Sequence, residues 1–210
     1  MKSEIGDRSF PIWLLGDSNP KNWQQILATP LDSRHPARHS IWTPVLDVIQ
    51  DQAFRSARKR VDTSSIYIRN AIENPFDKPS ESQNSWSEPL EQMNRELRQL
   101  LYENKPVFVF CFGAFSFEFA RRALDQNPKR HFGYWGAKQL GIEFRQRINE
   151  FDLIRINALP LLHTSISRGR FIESHNYFTE QTGGNYFEFA GNQIADLLLS
   201  HCQKLKIWIE

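Results

Sequence analysis

The segment 106-PVFVFCF-112 is apolar at almost every position. A strand wetted on one face alternates apolar and polar residues, whereas an unbroken apolar run belongs to a strand covered on both faces. That places a central parallel strand in the chain, with helices above and below it. Three more strand candidates, 11-PIWLL-15, 65-SIYIR-69 and 153-LIRINALPLL-162, are separated by helical patterns. From Ile41, residues Trp42, Val45, Leu46 and Ile49 recur with a 3.6 period, and Pro44 is acceptable in a first turn. Ser87 is placed to cap a second helix carrying Leu90, Met93, Leu97, Leu100 and Leu101. A third starts at Ser116 with Phe119, Ala120 and Ala123, and a fourth carries Ile194, Leu197 and Leu198. Alternating strands and helices predict a three-layer α/β/α fold with a short, mostly parallel central sheet of about four strands. A chain of 210 residues is expected to form one domain, spanning 1–210.

Composition narrows the function classes. Hydrophobic residues make up 40% and charged residues 24%, as in soluble globular proteins. The formal charge of +2 permits nucleic-acid binding without demanding it, so any basic face must be local. Cys111 and Cys202, the only cysteines, exclude a disulfide framework, a four-cysteine zinc site and a four-cysteine iron–sulfur cluster. His35, His39 and His175 lack metal-ligand spacing, so neither a metal nor a cofactor is expected. The N-terminal MKSEIGDRSF lacks the apolar region of a signal peptide, and no run reaches membrane-spanning length, which predicts a cytoplasmic protein without a membrane partner.

The first strand candidate stops abruptly at 16-GDSNP-20. In an open parallel sheet such a loop lies at the carboxyl edge of the strands, where ligands bind. Two chemistries fit. Ser18 can serve as a nucleophile, as in the Gly-Asp-Ser-Leu esterases, with Asp32 and His35 of the string Asp32 to Pro36 resembling that group's Asp–His pair. In that group the pair closes the domain near its C-terminus, whereas here it closely follows Ser18, and the oxyanion elements have no match. Alternatively, Asp17 or Asn19 holds a water against a substrate; capping of the loop is the ordinary role of such residues beside Pro. The polar, Pro-bearing segments 21–40 and 74–87 read as loops beside this edge, and loops of that length are usually functional.

Other strand ends supply further groups. The second leads to Asn70, whose amide offers one acceptor and two donors for the edge of a nucleobase. The third leads to Gly113 and Ala114, small enough for close approach of a phosphate at a helix N-terminus. The last leads to 163-HTSISRGRFIESHNYF-178, with His163, Thr164, Ser165, Ile166, Arg168 and Arg170 in one loop.

In this order the motifs resemble the uracil-DNA glycosylase superfamily. That family carries a water-activating G-Q-D-P-Y-H or G-x-N-P loop after strand one and a base-binding Asn after strand two. A small-residue loop follows strand three, and an H-P-S-P-L-S…R-G-F…H-F segment ends the pattern. The stretch 35-HPARHSIWTPVL-46 also resembles the H-P-x-N-x-F-W-x-x-L string of its mismatch and hypoxanthine branches. The similarity covers roughly residues 11 to 180, and the shared order of the motifs carries it.

The resemblance implies base flipping, at about a few kcal/mol, followed by hydrolysis of the N-glycosidic bond to leave an abasic site in DNA. Asp17 or Asn19 would position the water and His163 would stabilise charge on the departing base. Gly16, Ser18, Trp42 and Asn70 would bind the base. Gly113, Ala114, Ser165, Arg168 and Arg170 would hold DNA, with Ile166 as the wedge. The opening loop is one residue longer than the family's, which leaves open whether Asp17 or Asn19 meets the water. Thr164 replaces a Pro, and Ile41 stands where a base-stacking Phe is expected, with Trp42 or Trp23 as substitutes. A bulkier or modified base, including those of phage DNA, fits these departures. No Lys stands in a Schiff-base motif, which predicts a monofunctional enzyme. The run 55-RSARKR-60 is the better phosphate candidate, and 121-RR-122 reads as a solvated face. A non-catalytic DNA-binding or immunity module is the third class. The sequence specifies no oligomeric state.

Overall fold

The computed structural model describes residues 4–19, 29–34, 38–163 and 171–209. Strand β5 (Phe108–Phe112) is the buried apolar run, and all five of its residues are buried. It lies between β2 (Ile12–Gly16) and β6 (Asn157–Leu161), and β2 pairs on its other side with β4 (Tyr67–Asn70). These four strands are parallel. A fifth, β1 (Glu4–Ile5), adds antiparallel to β4, giving the order β1-β4-β2-β5-β6. The mostly parallel sheet of the sequence reading is therefore present, with this short antiparallel edge strand added.

Connections run from β2 outward to β4, then back across to β5 and on to β6. Right-handed crossovers in opposite directions place helices on opposite faces. Helix α1 (Thr43–Ala57) packs with α6 (Tyr186–Ser200), and α2 (Glu88–Asn104) packs with α3 (Gly113–Ala123), which completes three layers. Between them α4 (Ala137–Asn149) lies against β6, and α5 (Phe171–Thr179) against α4. A two-stranded ribbon pairs β3 (Arg60–Val61) with β7 (Trp208–Ile209).

Local chemistry sets the element boundaries. Helix α1 buries Val45, Ile49 and Ala53 at four-residue spacing and stops at Arg58, whose left-handed φ of 56° ends the helix. Ser87 occupies the N-cap place of α2 without a side-chain capping bond; the first turn relies on Pro89 and on Glu88 and Glu91 near the positive helix end. The predicted strand 153–162 forms only in its second half. Asp152 accepts from the Ile154 amide at 2.9 Å, and the Asn157 side chain donates to the carbonyls of Val107, Asp152 and Arg155 at 3.0, 2.8 and 2.9 Å. These bonds wind residues 152–156 into a turn and leave Ile154 94% exposed. Helix α3 starts at Gly113, three residues ahead of Ser116, so Gly113 and Ala114 form its first turn instead of a free loop. Among the described residues no helix is long and apolar enough to cross a membrane.

Two charged runs sit where the sequence reading did not put them. Residues 55–60 span the last turn of α1 and the start of β3, where the chain returns to the amino edge of the sheet, and so stand opposite the ligand edge. Arg58 and Arg60 cover the Phe54 ring at 5.1 and 4.8 Å. Arg121 and Arg122 are buried, not solvated, at 6% and 3% exposure. Both bind Glu118, which is fully buried: Arg121 Nη1 to Oε2 at 3.0 Å and Arg122 Nε to Oε1 at 3.1 Å. The Arg130 amide and Trp135 Nε1 complete the carboxylate at 2.8 and 2.9 Å. Arg122 Nη2 then donates to the carbonyls of Asn84 and Arg130 at 2.8 and 2.9 Å, with its guanidinium 3.8 Å from the centre of the Trp86 ring.

Removing one member of a buried, hydrogen-bonded ion pair costs about 3–5 kcal/mol, whereas exposed pairs contribute about 0–1 kcal/mol. Arg122→Met is expected to lower the urea midpoint by the larger amount. Arg95→Met, which removes an exposed partner of Glu88, should shift it little. Equal shifts for the two would refute a structural role for the Glu118 centre.

Candidate functional site

The carboxyl ends of the four parallel strands converge. Gly16 pairs with Asn70 in the β2–β4 ladder, and Phe112 pairs with Leu161 in the β5–β6 ladder. The β2 and β4 loops stay joined past the strands, since the Ala71 and Ile72 amides donate to the Gly16 and Asp17 carbonyls at 2.8 and 3.2 Å. The chain crosses from β2 toward opposite edges of the sheet, so this is the topological switch point where open parallel sheets bind ligands. A cavity of about 30 Å³ opens here, lined by Gly16, Asp17, Ser18, Asn70 and His163, with Phe112, Leu14, Ile68 and Leu31 as its apolar wall. That volume holds a water or two.

Each polar group is held by its neighbours. A Cβ built on Gly16 would lie 2.3 Å from Asn70 Oδ1, so only glycine leaves room for that carboxamide. Asn70 Nδ2 donates to Asn19 Oδ1 at 3.0 Å, and Asn19 is 1% exposed. Asn19 therefore orients Asn70. Asp17 Oδ2 accepts from Lys78 Nζ, while Asp17 Oδ1 is buried and has no hydrogen-bond partner among the described residues. Lys78 Nζ also stands over the rings of Phe115 and Phe132, at 5.2 and 4.9 Å.

His163 follows the end of β6, where the Leu162 amide donates to the Tyr186 hydroxyl at 3.1 Å. Gly113 accommodates it twice over. Its φ of +86° is unfavourable for other residues, and an added Cβ would lie 2.8 Å from His163 Cβ. Burial pushes the His163 pKa below its ordinary value; the Asp17 carboxylate pulls it back up and the Lys78 ammonium opposes that pull. The imidazole is thus neutral at pH 7, able to donate through one ring nitrogen.

Gly16, Asp17, Ser18, Asn19, Asn70, Gly113 and His163 are brought together as expected. Ala114 lies beside them in the first turn of α3. Trp42 does not line the cavity: it is 7% exposed and packs on Phe110 and Phe112 at 6.2 and 6.0 Å, leaving Phe112 as the aromatic wall. Trp23, His35, Thr164, Ser165, Ile166, Arg168 and Arg170, and the side chain of Ile41, lie outside the described residues. Asp32, the carboxylate of the esterase reading, receives Arg34 Nε and Nη2 at 2.8 and 2.9 Å. Lys78 was missed; the polar loop 74–87 pointed to the segment, but no motif singled out the residue. Among the described residues no three His, Cys, Asp or Glu are grouped to hold a metal.

Gly16→Ala must push the Asn70 carboxamide off its seat. It is expected to disturb the Asn19 and Asn70 side-chain amide signals in NMR spectra while most backbone amides stay in place. Unmoved side-chain signals would refute this packing.

Compared with known proteins, the chain matches no protein-family model and no curated protein.

Proposed function

We propose that the protein is a monofunctional DNA glycosylase that flips a damaged or modified base and hydrolyses its N-glycosidic bond. The observation that carries this reading is Asp17 Oδ1, a buried carboxylate oxygen without a partner among the described residues, in a protein whose Asp17 lines a water-sized cavity. A buried acceptor of this kind is costly unless a water satisfies it. A water hydrogen-bonded there is polarised for attack. With Asn19 committed to Asn70, Asp17 is the water-holding residue.

Asn70, steadied by Gly16 and Asn19, reads the edge of the flipped base. As the bond from C1′ to the base nitrogen breaks, the sugar gains cationic character and the base leaves as an anion. The water adds its oxygen to C1′ and gives up a proton toward Asp17. Neutral His163 donates a hydrogen bond to the oxygen of the departing base, stabilising negative charge where it develops. The cavity admits water and is too small for a base, so a captured base would sit beside it and not inside it. The backbone at Gly113 and Ala114, together with Ser165, Arg168 and Arg170, would grip phosphates, and Ile166 would fill the emptied stack.

The direct test is base release from duplex and single-stranded DNA containing uracil, hypoxanthine, 5-hydroxymethylcytosine or its glucosylated form, with alkali revealing abasic sites. Asp17→Asn and Asn70→Ala should each reduce single-turnover release by about 10²-fold or more. Tight DNA binding without release from any substrate would point instead to a binding module. Borohydride should trap no protein–DNA adduct, because Lys78, which reaches the site among the described residues, is ion-paired to Asp17. A trapped adduct lost in Lys78→Met would overturn the monofunctional assignment.

A further inference from the structure

We propose that Lys78 is a positioning residue that turns Asp17 into a one-sided acceptor, an inference that rests on the glycosylase reading above. An aspartate side chain has two rotatable bonds and two equivalent oxygens, so by itself it would present either one. Here Lys78 Nζ takes Oδ2 and leaves Oδ1 buried without a partner among the described residues. The cation is as firmly placed as the anion. Its ammonium stands over Phe115 and Phe132, which are 1% and 6% exposed.

The loop that carries Lys78 is folded on itself ahead of the residue and fastened to other segments behind it. Ahead of it, Asn74 Oδ1 accepts from the Phe76 amide at 3.2 Å, and the Asp77 amide donates to the Asn74 carbonyl at 3.0 Å. Behind it, the Glu81 carbonyl accepts from the Gly133 amide at 3.0 Å, and the Asn84 carbonyl accepts from Arg122 at 2.8 Å. A fixed backbone, two aromatic faces and a carboxylate define where the charge sits. This geometry suits a group that orients another. It does not suit an amine that must leave its ion pair to attack an aldehyde, nor a cation free to follow a phosphate.

Lys78→Met keeps the apolar stem against the two rings and removes the charge; Lys78→Arg keeps the charge. Single-turnover base release is expected to fall about ten- to a hundred-fold in Lys78→Met, since a misplacement of about 1 Å can cost about 10²-fold. KM should stay within about twofold and thermal stability should be retained, with Lys78→Arg recovering most of the rate. The His163 imidazole, assigned by comparison with His163→Gln, should titrate at higher pH in Lys78→Met and at lower pH in Asp17→Asn, since each variant removes one of two opposing charges. A rise in KM and a weakened salt dependence at unchanged kcat would make Lys78 a phosphate contact and overturn the inference. So would an unchanged rate, or a loss that Lys78→Arg does not restore. If the unaltered protein releases no base, the glycosylase reading falls. The Asp17 side-chain carboxyl carbon signal then decides: unmoved in Lys78→Met, it refutes a Lys78–Asp17 unit.

Discussion

The Glu118 carboxylate accepts from Arg121, Arg122, the Arg130 amide and Trp135, and the Lys78 side of the site is tied to this buried centre. A carboxylate with no solvent contact is tolerable only when its acceptor positions are filled, and four donors fill them here. The donors come from α3 itself and from residues 130–135, and Arg122 reaches on to the Asn84 carbonyl in the 74–87 loop. One ionic centre thus joins the helix after β5 to two loops with little regular structure of their own. Stacking continues the joint: Arg122 lies on Trp86, and Trp86 lies on Phe119 at 5.4 Å. Phe115 and Phe132, brought together at 5.5 Å by the same segments, form the aromatic seat of Lys78. Losing the buried centre would free the loop whose cation steadies Asp17, so a distant core substitution can reach the site.

At the other side of the site, precision comes from backbone register, not from charge. Gly16 and Asn70 are opposite each other in a parallel ladder, and the missing side chain of one is the space occupied by the carboxamide of the other. Gly113 does the same for His163. In both cases a strand end supplies the functional side chain and a glycine on the adjacent strand end supplies the room. A one-residue slip of either pairing would put a side chain where the glycine is needed. Polar side chains at an edge are ordinarily free to sample rotamers; these are confined by the sheet itself.

What could be read from the sequence follows from range. The buried strand 108–112, Val45 and Ile49 of the helical stripe, and the convergence of Gly16, Asn70, Gly113 and His163 depend on local pattern plus the handedness of parallel sheets. Helix α4 was illegible because its buried stripe is only Leu140, Gly141 and Phe144, and Gly141 is there for contact with the Phe178 backbone, 2.2 Å from a built Cβ. The β3–β7 ribbon joins residues nearly 150 positions apart through two pairs, too short for any pattern. Arg121 and Arg122 looked solvated because their partner, Glu118, sits within one helical turn on the same helix, and nothing in the spacing shows which face is buried. Lys78 was invisible for a related reason: its partners Asp17, Phe115 and Phe132 come from three distant segments.

The charges at the site explain why three polar groups can share so small a space. The Asp17 carboxylate pulls a proton toward His163, but burial of the imidazole is the stronger effect and the Lys78 ammonium adds to it, so the ring stays neutral. Lys78 at the same time takes Asp17 Oδ2. The carboxylate is left with one oxygen without a partner among the described residues, while the imidazole keeps a proton to donate without carrying net charge. The proposed hydrolysis, through a cationic sugar and an anionic leaving group, would use this division of labour: a carboxylate near the sugar and the water, a neutral donor near the base. Lys78, which belongs to no recognisable motif, occupies Asp17 Oδ2 and opposes the pull of Asp17 on His163.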